Sequence, residues 1–190
     1  PVFESEEDIG LVNALYKEKP NTTVFFDKII EIACKSENPS MVFEHLAEEK
    51  DGKFSLKTDY KTPTIERLEK SEIEENKDTA QRLNENIKQT ASQTLNVLNE
   101  CMRCGDNDTK DSNYNLKSTK NLFDQIDGAP FLSDRSKNQL KKMIENKTKK
   151  MTDGLKAKYG DPIKDLDQFK NDMHKLMTKN ENLAFHISKA

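Results

Sequence analysis

The chain has 190 residues, of which 33% are hydrophobic and 34% charged, with a formal net charge of −3 at pH 7. That balance is too close to neutral to direct the whole chain to nucleic acid or to an acidic membrane. No run of 18 apolar residues occurs, which excludes a helical membrane span.

So low a hydrophobic share borders on the disordered class, yet the apolar residues that are present return at helical spacing. Few side chains must then do the packing, and helices touching along narrow seams are the expected solution. Three cysteines, Cys34, Cys101 and Cys104, are too few and too odd in number for a disulfide scaffold. They point to a reducing compartment, either a cytoplasm or, for a secreted protein, the cytosol of a host.

In chain order, Ser5 to Lys19 opens with carboxylates and carries Ile9, Val12, Leu15 and Tyr16 on one face, a first helix that Pro20 ends. Asn21, Thr22 and Thr23 then offer caps to a second helix reaching Ser36. Its Phe25, Phe26, Ile29, Ile30, Ile32 and Ala33 are apolar on most sides, so it is the most buried element expected. Asn38 followed by Pro39 starts a third helix with Met41, Val42, Phe43 and Leu46, stopping at the turn dipeptide Asp51-Gly52. Phe54, Leu56, Thr58 and Tyr60 alternate with polar residues, and with no second strand in view they read as a short extended arm near residues 53–60.

From Pro63 to Cys104 the pattern predicts one long helix, roughly 60 Å at 1.5 Å per residue. Thr62 caps it, and Ile65, Leu68, Ile73, Ala80, Leu83, Ile87, Ala91, Leu95, Leu98 and Met102 form its stripe. The stripe is weakest over Glu74 to Thr79, where a bend or break is expected. Residues 105–117 hold almost nothing apolar and read as a mobile loop. A short helix follows over Ser118 to Asp127. Ser133 caps another reaching Tyr159, and a tight turn leads to a last helix capped by Asp161, with Leu166, Phe169 and Met173 inward. Leu183, Phe185 and Ile187 would dock the tail.

The expected fold is thus an all-α, elongated bundle of six to eight helices around a long central one, forming a single domain over 1–190 with a short arm. Little in it points to catalysis. Cys101 and Cys104 share a helix face, but they stand at a helix end, where the dipole raises a thiol pKa. Zinc would need a second ligand pair, and His45, His174 and His186 offer no such spacing. Asp106, Asp108 and Asp111 lack the glycine and glutamate of a calcium loop. No cofactor and no metal are expected.

Two surfaces suit a partner better. At the 159–163 turn, Tyr159, Pro162 and Ile163 would present a rigid aliphatic tip to a pocket on another protein. Along the basic helix 135–158, Lys141, Lys142, Lys149 and Lys150 would meet an anionic partner or lipid. No aromatic residues interleave with these lysines, so nucleic acid is not expected. The first reading is a non-catalytic, adaptor-like or effector-like module that binds a protein through a helical face or this tip. A composition rich in Lys, Asn, Asp and Glu suits an AT-rich microbial genome, hence an effector acting on host proteins. The alternatives are a peripheral module for anionic lipid and a Cys-dependent or metal-binding enzyme of unrecognised type.

Overall fold

A computed structural model describes residues 2–104, 119–160, 162 and 164–177. Among these, the elements follow in the order α1 (Val2–Glu18), α2 (Thr22–Lys35), α3 (Pro39–Leu46), β1 (Ala47–Lys50), β2 (Lys53–Leu56), α4 (Pro63–Glu69), α5 (Glu74–Arg103), α6 (Thr119–Asp127), α7 (Asp134–Tyr159) and α8 (Leu166–Met177). A helical bundle with one short extended arm is therefore what forms. Two compact units share the chain: residues up to Asn99 with Pro130–Gln139 make the first, and the described residues of Glu100–Ala129 with those from Leu140 onward make the second. The 105–117 loop, with its Asp106, Asp108 and Asp111, and the tail residues Leu183, Phe185, His186 and Ile187 lie outside the described residues.

In the first unit the caps act as the sequence indicates. Asn21 Oδ1 accepts the Val24 N–H at 2.9 Å, Asn38 Oδ1 that of Met41 at 3.3 Å, and Thr62 Oγ1 that of Ile65 at 3.3 Å. Each satisfies a first-turn amide that has no partner within its helix. The three-residue link between α1 and α2 turns the chain back on itself. Tyr16 meets Phe25 edge-on at 5.3 Å near the turn, and Ser36 donates to Asp8 at 2.7 Å at the other end, so the two helices run antiparallel. Val12, Leu15, Phe25, Phe26, Ile29, Ile30 and Ala33 are buried by this pairing and its neighbours.

The extended arm has a partner that the sequence conceals. Asp51 and Gly52 both take positive φ, 54° and 77°, which is the two-residue turn whose twist suits a hairpin. Consequently Ala47–Lys50 pairs with Lys53–Leu56, Ala47 opposite Leu56 and Lys50 opposite Lys53, and α3 stops at Leu46 instead of running to the turn. Phe54 packs edge-on against Phe43 at 5.1 Å, seating the hairpin on α3. Beyond it, Tyr60 stacks on Phe25 with ring centres 3.8 Å apart and donates to the Pro20 carbonyl, while Tyr16 donates to the Thr58 carbonyl at 3.0 Å. Burial pushes both phenols up to about 12, so both remain neutral donors through the physiological range.

The long central helix is interrupted once, upstream of the stretch where the stripe is weakest. Residues 70–73 leave the helix because Ser71 Oγ accepts the Ile73 N–H at 3.2 Å and the Asn76 side-chain amide at 2.9 Å. A serine hydroxyl that serves nearby amides in this way competes with the helical ladder. Glu74 to Thr79 then form the opening turns of α5, a 30-residue helix. The break changes what the stripe buries: Ile65, Ala80, Ile87, Ala91, Leu95 and Leu98 are inside, whereas Ile73 and Leu83 are exposed.

In the second unit Cys101, Met102, Cys104, Leu122, Ile126, Ala129, Leu140, Met143 and Ile144 are buried. Lys147 donates to the Met102 carbonyl and Lys141 pairs with Asp127. The last helix begins later than its sequence cap implies. Asp165 Oδ1 accepts the Gln168 N–H at 3.1 Å, so α8 starts at Leu166, and Leu166, expected inward, is exposed. Asp161 lies outside the described residues.

Candidate functional site

The best candidate for a recognition surface lies on the outer side of the α1/α2 pair. Asp8, Leu11, Leu15 and Glu18 recur along α1 in steps of three or four, with Ala14 beside them, and Lys28, Glu31, Ile32 and Lys35 stand at i, i+3, i+4 and i+7 along α2. This spacing puts each set on one helix face. Between them runs a cleft of about 330 Å³. Leu11, Ala14, Leu15 and Ile32 supply its aliphatic lining, and Leu11 keeps 49% of its surface in water while Val12 and Leu15 close to it in α1 are buried. Covering the open half of such a leucine is worth about 1 kcal/mol.

The rims of the cleft differ in charge. Asp8 and Glu18 stand on the α1 side, Lys28 and Lys35 on the α2 side. Glu31, also on α2, is engaged within the chain: it accepts from Lys35 at 2.8 Å and from Arg135 at 3.4 Å, and the bond from Lys35 holds its carboxyl below the usual glutamate range. Glu18 and Lys28 form no ion pair with any described residue. Sequence reasoning missed this surface because Leu11 falls off the Ile9, Val12, Leu15, Tyr16 stripe. The available signal was an α2 with apolar residues on more sides than one neighbour covers, of which Ile32 is the remainder.

The two surfaces named from the sequence are arranged differently. Tyr159 is half-buried within the second unit, edge-on to Phe169 at 5.1 Å and donating to Asp172 Oδ2 at 2.6 Å. That bond to a carboxylate raises its pKa above the ordinary phenol value. Pro162 is exposed, and Ile163 lies outside the described residues. Of the basic set, Lys141 is paired with Asp127 and Lys149 with Asp153 at 2.7 Å, whereas Lys142 and Lys150 are exposed and form no ion pair with a described residue. Half of that positive face is thus neutralised by the chain itself.

The cysteines and histidines are spread out. All three cysteines are free thiols, with Cys101 and Cys104 buried and Cys34 half-buried. His45 Nε2 lies 2.9 Å from Asn13 Oδ1, a hydrogen bond that occupies this ring nitrogen, and His174 is exposed in the second unit. Among the described residues no group of three or more His, Cys, Asp and Glu side chains is placed to hold a metal ion. Burial pushes the Cys34 thiol up to about 12 from 9.0. At neutral pH its thiolate fraction falls about a thousandfold, and reactivity follows the thiolate. In the folded protein Cys34 is therefore expected to label with iodoacetamide orders of magnitude more slowly than in denaturant. Equal rates in the two states would contradict this environment.

A larger depression, about 500 Å³, lies in the first unit where the starts of α2 and α4 meet α5 and residues 130–133. Thr22, Thr23, Thr62, Thr64 and Thr90 line it with Phe26 and Leu83. Its one ionisable lining residue is Asp27, whose carboxylate serves Ser133 and Ser136. Its walls are largely hydroxyl and aliphatic, with little to select a charged ligand. Comparison with models of protein families, with curated proteins and with solved structures gives no match. Among the described residues, no helix is long and apolar enough to cross a membrane.

Proposed function

We propose that the chain is a non-catalytic protein-interaction module that accepts a helical element on the α1/α2 face. The observation that carries this reading is the half-exposed Leu11 in the lining of a partly aliphatic cleft whose rims are charged and partly unpaired among the described residues. Val12 and Leu15 of the same helix are buried in the core, whereas Leu11 leaves about half of its surface in water. Amphipathic helices dock in such grooves through apolar anchors spaced three, four and seven residues apart. An apolar centre inside a charged rim is also the anatomy of protein interfaces in general.

The chemistry of the rest supports a binding role over a catalytic one. The Cys34 thiol is held protonated, and His45 Nε2 is bonded to the Asn13 side-chain amide. Three free cysteines fit work in a reducing compartment. For a microbial effector that compartment would be the cytosol of the host. The test is affinity capture from a lysate with the wild type, Leu11→Asp, Ile73→Asp and Pro162→Asp. All three substitutions place a carboxylate on an exposed apolar position. A stoichiometric partner lost only with Leu11→Asp is the expected result. A partner retained by Leu11→Asp and lost with Pro162→Asp would move the site to the 159–163 turn.

A further inference from the structure

We infer that the occupant of the α1/α2 face is the same face of a second copy, giving an antiparallel four-helix layer. This rests on reading that face as an interaction surface, and it adds the identity of the partner. The argument is one of symmetry and charge. A two-fold axis along the cleft lays α1 of one copy over α2 of the other, because such an axis preserves position along the cleft and exchanges its sides. Each helix then has an antiparallel neighbour both within its own chain and across the interface, the arrangement of an up-and-down bundle.

The rims match under that operation. Asp8 and Glu18 are on the α1 side, and the α2 side carries Lys28 and Lys35 with Glu31, whose carboxylate is already held by Lys35 and Arg135, so a net acidic rim faces a net basic one along both edges. Asp8 comes opposite Lys35 of the other copy, since the Ser36 to Asp8 bond fixes those two ends at the same height. Glu18 and Lys28 lie a few residues apart along the axis, within the span of two long side chains, and neither makes an ion pair with a described residue of its own chain. An axis across the cleft would instead set α1 against α1 and oppose carboxylates. At the centre the two clefts face each other, and Leu11, Ala14 and Ile32 of both copies fill the common space. Two short helices per copy cover less than the about 800 Å² per partner of a standard interface, so the association belongs to the weak class, with Kd on the order of 10–100 µM.

The experiment is sedimentation equilibrium of the full chain over a concentration series spanning that range. The wild type is expected to shift from one chain mass toward two. Leu11→Asp should weaken association at least about tenfold, and Glu18→Lys should do so as well, while the double variant Glu18→Lys with Lys28→Glu should regain it to within about threefold. All these positions are on the surface, and an unchanged helical circular dichroism spectrum verifies that each variant folds. A wild type that stays monomeric throughout overturns the inference. So does self-association that Leu11→Asp leaves unaltered, or a charge swap that fails to restore it. A monomeric wild type whose captured partner is still lost with Leu11→Asp would overturn only the second copy as occupant and leave the interaction surface standing.

Discussion

Replacing Phe25 by alanine is expected to remove about 3–5 kcal/mol of stability from the first unit. The ring is fully buried, stacked on Tyr60 at 3.8 Å and met edge-on by Tyr16 at 5.3 Å and Phe26 at 5.2 Å. Three segments therefore converge on it: the end of α1, the start of α2, and the chain between the hairpin and α4. Deleting the ring loses both the transfer free energy of its carbons and the contacts of a cavity that helices anchored elsewhere do not close. Whole-domain stability is commonly about 5–15 kcal/mol, so the change takes a large part of it. Urea unfolding followed by circular dichroism should show a lower midpoint for Phe25→Ala. Phe25→Leu, which keeps most of the volume and loses the stack, should fall between that variant and the wild type. A loss below about 1 kcal/mol for the alanine variant would show that the stack is not where this core closes.

Local signals in the sequence located much of this architecture. Asparagine or threonine followed by proline marks the starts at Asn38-Pro39 and Thr62-Pro63, and the predicted seam of α5 is largely the buried one. These features are legible because capping and periodicity act over a few residues. The hairpin was half legible. Asp51-Gly52 announces a turn, but Ala47, Glu48, Glu49 and Lys50 favour helix by propensity, and only pairing across the positive-φ turn makes them a strand. The break at 70–73 depends on one serine hydroxyl choosing nearby amides, and serine is too common in helices for that choice to be read in advance.

The candidate surface was less legible still. A leucine off the main stripe of α1 has no meaning until α2 is placed beside it, and the charges at its rim become a pattern only when both helices are seen together. The 159–163 turn shows the converse. Tyr159 reads in the sequence both as an inward position of its helix and as the edge of an exposed turn, and its engagement by Phe169 and Asp172 follows from α8 folding back, a contact across 13 positions for the hydroxyl. Spacing rules report which side of a helix is apolar. They are silent on which apolar side remains uncovered once the helices have packed.

Asp27→Ala is expected to be the most damaging change at a charged position, costing about 2–4 kcal/mol. Asp27 Oδ1 accepts from Ser133 Oγ and from Ser136 Oγ, each at 2.6 Å, across 106 and 109 positions of sequence. Ser136 is 1% exposed, so its hydroxyl has no water to turn to when the carboxylate is removed. Ser133 Oγ also accepts the Ser136 N–H at 3.1 Å and so caps α7, which couples loss of the carboxylate to loosening of that helix start. Asp27→Asn should be milder, since an amide oxygen still accepts one hydroxyl while the charge assistance is lost. Hydrogen exchange in Pro130–Gln139 should accelerate in both variants, more in the alanine one. Asp134→Ala, an exposed neighbour outside this network, serves as the control and should stay within about 0.5 kcal/mol of the wild type. If Asp27→Ala unfolds with the wild-type midpoint and leaves exchange at Ser136 unchanged, the 130–139 segment is held by its apolar contacts and not by this carboxylate.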